Sequence, residues 1–145
     1  MRTAVPFALA LVLVALAGIH IYWAVTGAAS GSGFVPESHG QPLFHPSRLA
    51  TVAVAAALLV AAYIAAARGQ LMTPAAPGSL IHWLCIGAGV VFVLRAVGEF
   101  HYVGFFKSVH GTRFAALDTW VFSPLCLAIG AAFLFISTIS PRLKA

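Results

Sequence analysis

Arg95 and Glu99 stand four residues apart inside an otherwise apolar stretch, Leu80 to Phe100. On a continuous helix that spacing leaves them about 40° apart on one face, close enough for a guanidinium and a carboxylate to pair. Such a pair either neutralises itself or lines a pocket in which Glu99 exchanges protons or holds a cationic group. Tyr102 continues the same face. His20, near the end of another apolar stretch, is a second candidate for proton transfer, although a lone histidine among apolar residues is more often a hydrogen-bonded structural group. Trp23 shares the His20 face with Leu13, Ala17 and Ala24, whereas Tyr22 points away and suits an interfacial anchor. At the fourth apolar stretch, Ser123-Pro124 reads as an N-cap followed by proline at the first helical position. Asp118-Thr119 is the alternative cap, of a longer helix kinked by Pro124. Either way the proline frees backbone groups near Trp120 that need partners. Arg113 and Lys107 are candidates to pair with Asp118 or to meet lipid phosphates. There is no nucleophile motif, metal-type spacing or nucleotide-binding loop.

The elements that must position these residues follow from composition. Of 145 residues, 61% are apolar and 8% charged, against roughly 25% charged in soluble domains. A chain of this kind folded in water would expose more apolar surface than a soluble monomer tolerates. Four apolar segments, about 5–25, 49–67, 80–100 and 120–139, each approach the roughly 20 residues that cross a hydrocarbon core about 30 Å thick. Only helices satisfy their backbone groups within such a segment. The expected fold is therefore an all-α membrane protein, a four-helix transmembrane bundle forming one integral domain over residues 1–145. The first segment is longer than a signal-peptide core and ends in His20, Tyr22 and Trp23, so it reads as a retained helix. Residues 26–47 read as a Gly/Ser/Pro-rich loop, 69–79 as a short connection, and 107–118 as a third link in which 112–117 forms a short interfacial helix.

Four spans bring both termini to one side. His20, His39, His45, His101 and His110 then fall toward the opposite end, as do all three acids, Glu37, Glu99 and Asp118. Arg2, Arg68, Arg142 and Lys144 mark the terminal side against Arg48, Lys107 and Arg113 on the other, which favours cytoplasmic termini. The net charge of +5 is scattered at segment ends, with no basic stripe, and gives no reason to expect nucleic acid. Cys85 and Cys126 stand singly in separate segments without metal-type spacing. His20 and His101 lack the paired spacing of a haem site, so no metal or cofactor is assigned.

The run from Arg95 to Lys107 (RAVGEFHYVGFFK), followed by Gly111 to Thr119 (GTRFAALDT) and Ser123-Pro-Leu-Cys126, resembles the bacterial membrane family catalogued as domain of unknown function 3995, as does His20-Ile-Tyr-Trp-Ala24 with Gly27. The resemblance covers nearly the whole chain. It implies a four-span protein of the bacterial plasma membrane and brings no reaction with it.

The expected function is binding of an amphiphilic, lipid-like ligand. The candidate pocket is at the bundle end opposite the termini, with His20 and Trp23 of the first span facing Glu99 and Tyr102 of the third. Arg95 lies alongside, and the segment Asp118–Ser123 forms the roof. Partners are the lipid bilayer and that ligand, and assembly into an oligomer or larger membrane complex stays open. The alternative is a membrane enzyme using His20 and Glu99 as acid and base on a lipophilic substrate. A small transporter is less favoured, because there is no inverted repeat and only one span is charged.

Overall fold

A computed structural model describes residues 3–28, 33–38 and 41–139. His39 and the flanking charges Arg2, Arg142 and Lys144 lie outside the described residues. The chain forms a bundle of four helices: α1 (Ala4–Thr26), α2 (Arg48–Arg68), α3 (Gly78–Val97) and α4 (Arg113–Ser137). All four are long and apolar enough to cross a membrane. A short antiparallel pair, β1 (Glu37–Ser38) and β2 (Gln41–Pro42), lies in the loop between α1 and α2.

Local chemistry sets the helix ends. Gly27, in the left-handed conformation at φ 71°, closes α1 by donating its N–H to the Trp23 carbonyl, the conformation glycine adopts without penalty at helix C-termini. Ser47 caps α2, its hydroxyl oxygen accepting the Ala50 N–H at 3.1 Å. Thr112 caps α4 in the same way through Ala115 at 3.0 Å.

The helices pack as two antiparallel pairs, α1 along α2 and α3 along α4, joined mainly through α2 and α3. α1 touches α4 along a shorter line and has no comparable face against α3. Leu9, Leu13 and Ala17 of α1 meet Leu58, Ala61 and Ala65 of α2 in the core, which Ile129, Phe133 and Ile136 of α4 complete. Small residues let the backbones close in, as membrane helices need where apolar packing alone offers little drive. A Cβ on Gly130 would lie 2.9 Å from the Gly89 carbonyl oxygen and 3.0 Å from the Val93 nitrogen, so α3 and α4 cross glycine on glycine. At the terminal end, Arg68 Nη2 donates to the Ser137 carbonyl at 2.6 Å, placing a cation where the dipole of α4 is negative. The outward faces carry Leu11, Leu49, Val60, Trp83 and Val91, all exposed, a surface suited to lipid.

Four expectations change. The third helix ends at Val97, short of Phe100, because Gly98 at φ 86° and ψ −173° leaves helical geometry. The fourth begins at Arg113, not near Trp120, because Thr112 supplies the cap. The segment 112–117 is thus the first turn of the span and not a separate interfacial helix. Ser123 is not an N-cap either: it is helical, at φ −68° and ψ −44°, in the interior of α4. The longer helix with a distortion at Pro124 is what forms, though its cap is Thr112.

Candidate functional site

The distortion in α4 is a π-helical turn, Asp118–Phe122, in which the Ser123 N–H bonds the Asp118 carbonyl. Pro124 follows directly and has no N–H to continue the α-helical ladder. In an α-helix residues i and i+5 diverge by about 140°; i→i+5 bonding returns them to the same side. Ser123 accordingly sits over Asp118, and its hydroxyl donates to Asp118 Oδ2 at 3.2 Å.

Asp118 is the hub of a buried polar cluster, with 0% of its surface exposed. Its Oδ1 accepts from Arg95 Nη2 at 3.0 Å. Its Oδ2 accepts from the Gly104 N–H at 2.7 Å and from Lys107 Nζ at 3.1 Å. Lys107, its side chain also fully buried, uses all three ammonium protons: on Asp118, on the Gly104 carbonyl at 2.9 Å and on Thr119 Oγ1 at 2.6 Å. The Thr119 hydroxyl passes its own proton to the Ala115 carbonyl at 3.0 Å. Two cations therefore share one carboxylate. Arg95 is 36% exposed at the side chain, and its Nη1 is buried with no hydrogen-bond partner.

The loop after α3 makes this possible. Gly98 and Gly104 lie back to back, each at positive φ: a Cβ on Gly98 would strike the Val103 carbonyl and lie 2.6 Å from Gly104 Cα. That contact folds residues 98–104 over the end of α3, aims the Gly104 N–H at Asp118 and brings Lys107 inward.

Of the residues picked out from sequence, Arg95, Asp118 and Ser123 come together. The Arg95–Glu99 pair does not form. Gly98 ends the helix before Glu99, so the i, i+4 geometry is lost; Glu99 is exposed and its carboxylate accepts the Tyr102 N–H. Arg95 turns instead to Asp118. His20 and Trp23 do not face Glu99 and Tyr102, because α1 packs on α2 and α4. Their rings meet edge to face at 5.1 Å, and His20 Nδ1–H donates to the Leu16 carbonyl at 2.8 Å. Trp23 lies against Phe34 at 4.7 Å, and Phe34 reaches Phe122 of the π turn at 6.2 Å. Tyr102 packs on His101, which shares a hydrogen bond with Ser108 at 3.0 Å. Among the described residues no group of three His, Cys, Asp or Glu could hold a metal ion.

Lys107, Gly104 and Thr119 are the cluster members that sequence reasoning left out of the candidate set. The sequence does offer Lys107 as an Asp118 partner, and the pair of glycines six residues apart is the signal that its loop turns back. Arg113 makes no ion pair with Asp118. Its side-chain stem covers Gly33, where a Cβ would lie 2.9 Å from Arg113 Cγ.

Beside the cluster, on the outer side of the head of α4, an open groove of about 530 Å³ is lined by His110, Thr112, Arg113, Ala116, Thr119 and Trp120 among others. Thr119 belongs to both: it lines the groove and accepts from Lys107. In this groove polar groups stand beside the exposed Trp120 ring.

Comparison with curated proteins and with solved structures gives no match. The model of the family described as Protein of unknown function (DUF3995) matches residues 13–133, and with four apolar helices and most of its length matched the chain belongs to that family.

Proposed function

We propose that the protein holds an anionic amphiphile, of the class of a lipid with a phosphate or carboxylate headgroup, in the groove at the head of α4. The observation that carries this reading is the charge count of the buried cluster: Arg95 and Lys107 against Asp118 alone. A surplus cation in a poor solvent calls for a counter-anion. Lys107 is one hydroxyl, Thr119, from the groove, and Arg113 adds a second cation on its rim. Trp120, 81% exposed beside them, offers the apolar contact an acyl chain needs. The acid–base reading gains no support, since the His20 ring bonds the Leu16 carbonyl and the Glu99 carboxylate the Tyr102 N–H, each within its own segment. The test is thermal unfolding in neutral detergent with added phosphatidylglycerol or phosphatidylcholine. The anionic lipid is expected to raise the midpoint, by the equivalent of about 2.7 kcal/mol at a hundredfold excess over Kd, and Arg113→Gln to remove most of the rise. Equal shifts from both lipids, or an unchanged response in Arg113→Gln, would count against the proposal.

The same reading places the protein in a bacterial plasma membrane with cytoplasmic termini. Lys107 is consumed by Asp118 inside the bundle, which leaves Arg48 and Arg113 to oppose the terminal-side cations and strengthens the bias. Single cysteines at Ser79 and Ser108, in a Cys85→Ala, Cys126→Ala background, should label from the cytoplasm and from outside respectively. The reverse pattern inverts the orientation, and labelling of both from one side contradicts four spans.

A further inference from the structure

Hydropathy puts the link between the third and fourth helices outside the membrane, but residues 98–107 do not behave as a loop built for water. Phe100 and Phe106 are 62% and 64% exposed, with ring centroids 6.4 Å apart. Leaving such rings in water forfeits the free energy that their burial would contribute. Phe100 also holds φ at 68°, an uncommon conformation for a bulky residue. Meanwhile much of the backbone is satisfied within the protein. The N–H groups of Tyr102, Gly104 and Phe105 go to Glu99, Asp118 and the Ala96 carbonyl. Those of Ser108 and Val109 go to the carbonyls of Phe100 and His101. Irregular backbone survives at membrane depth only when it is satisfied internally in this way. The loop is pinned to α4 by Lys107 and Gly104 on Asp118, and Leu94 in the last turn of α3 and Trp120 in the π turn of α4 are exposed apolar residues like its own Phe100 and Phe106.

We propose that the loop 98–107 is inserted in the bilayer, with Phe100 and Phe106 among the lipid acyl chains of the leaflet opposite the termini. The occupant of this apolar surface is lipid, because the loop follows directly on the spanning helix α3 and is bonded to Asp118 of the spanning helix α4, so it lies at the end of two lipid-facing helices. In that position the loop caps the Arg95–Lys107–Asp118 cluster against the membrane, so the cluster lies below the headgroups and not in water. This inference does not depend on the anionic ligand.

Spin labels test it. Phe106→Cys is labelled in the Cys85→Ala, Cys126→Ala protein in liposomes, with Leu84→Cys as the lipid reference and Thr73→Cys as the aqueous one. Collision with oxygen is compared with collision with a water-soluble nickel chelate. The expected oxygen-to-nickel ratio at position 106 is close to that at 84 and several-fold above that at 73. A ratio matching position 73 overturns the proposal, and so does protection from both reagents, which would mean that protein, such as a second copy of the chain, covers the loop. Phe106→Trp in a Trp23→Phe, Trp83→Phe, Trp120→Phe protein is the parallel variant: bilayer insertion predicts quenching by brominated lipid and not by iodide, and quenching by iodide overturns it.

Discussion

Replacing Asp118 with Asn is expected to be the most damaging isosteric change in the chain. The amide keeps the shape but leaves Arg95 and Lys107 without a counter-charge, Lys107 fully buried. Removing one partner of a buried pair costs about 3–5 kcal/mol. The hydrogen bonds alone cannot account for a loss of that size, since interhelical hydrogen bonds in membranes average roughly 0.6 kcal/mol. Ser123→Ala, which deletes one such bond to the same carboxylate, should therefore be mild. The double change Asp118→Leu with Lys107→Met should recover much of the loss, because no uncompensated ion is left at the loop. Unfolding midpoints of the single and double variants in one detergent decide this. Additive losses would mean that the two residues are not energetically a pair.

The second large effect is expected at Gly98 and Gly104. Gly98, at φ 86° and ψ −173°, occupies a region essentially restricted to glycine, where another residue costs about 1–3 kcal/mol. Space adds to strain: an added Cβ there meets backbone atoms of Val103 and Gly104, and one on Gly104 meets those of Val97 and Gly98. Backbone cannot swing aside as a side chain can, so alanine at either position should open the loop and withdraw the Gly104 N–H and Lys107 from Asp118. Two other glycines calibrate the result. Gly111 has φ 83° with open space around it and reports strain alone, while Gly18 has open space and an ordinary helical conformation. The expected order of destabilisation is Gly98→Ala and Gly104→Ala well above Gly111→Ala, with Gly18→Ala near neutral. If Gly98→Ala melts with Gly111→Ala, the close contact of the two glycines is not what holds the loop.

These two sites also mark where the sequence could and could not be read. Long apolar runs define the four helices because a span of some twenty residues has no other way to satisfy its backbone. The buried faces of α1 were legible as well: Leu13, Ala17 and Ala24, grouped with His20 on a helical wheel, are all buried. The irregular turn around Asp118 followed from Pro124, whose missing N–H acts locally. For Arg95 the sequence points to the wrong partner, for a definite reason. Wheel geometry assumes that a helix continues, and Gly98 stops α3 one residue before Glu99. The true partner, Asp118, is 23 residues away and is brought close by tertiary packing of α3 on α4, which no periodicity encodes. Pairing of the helices was equally hidden. Every span is apolar nearly all round, so nothing in the pattern said that α1 would lie along α2 rather than α3, and the proposed meeting of His20 with Glu99 rested on that undetermined choice.

On the proposed reading, the surplus charge at the head of α4 retains an anionic amphiphile. Native mass spectrometry tests it most directly, on protein reconstituted with equal amounts of phosphatidylglycerol and phosphatidylcholine and then extracted in neutral detergent. The released protein is expected to carry one anionic lipid in preference to the zwitterionic one. Arg113→Gln should lose that preference while Arg48→Gln, a change at the same end of the bundle but off the groove, keeps it. Retention of both lipids equally, or the same preference in Arg113→Gln, would contradict it.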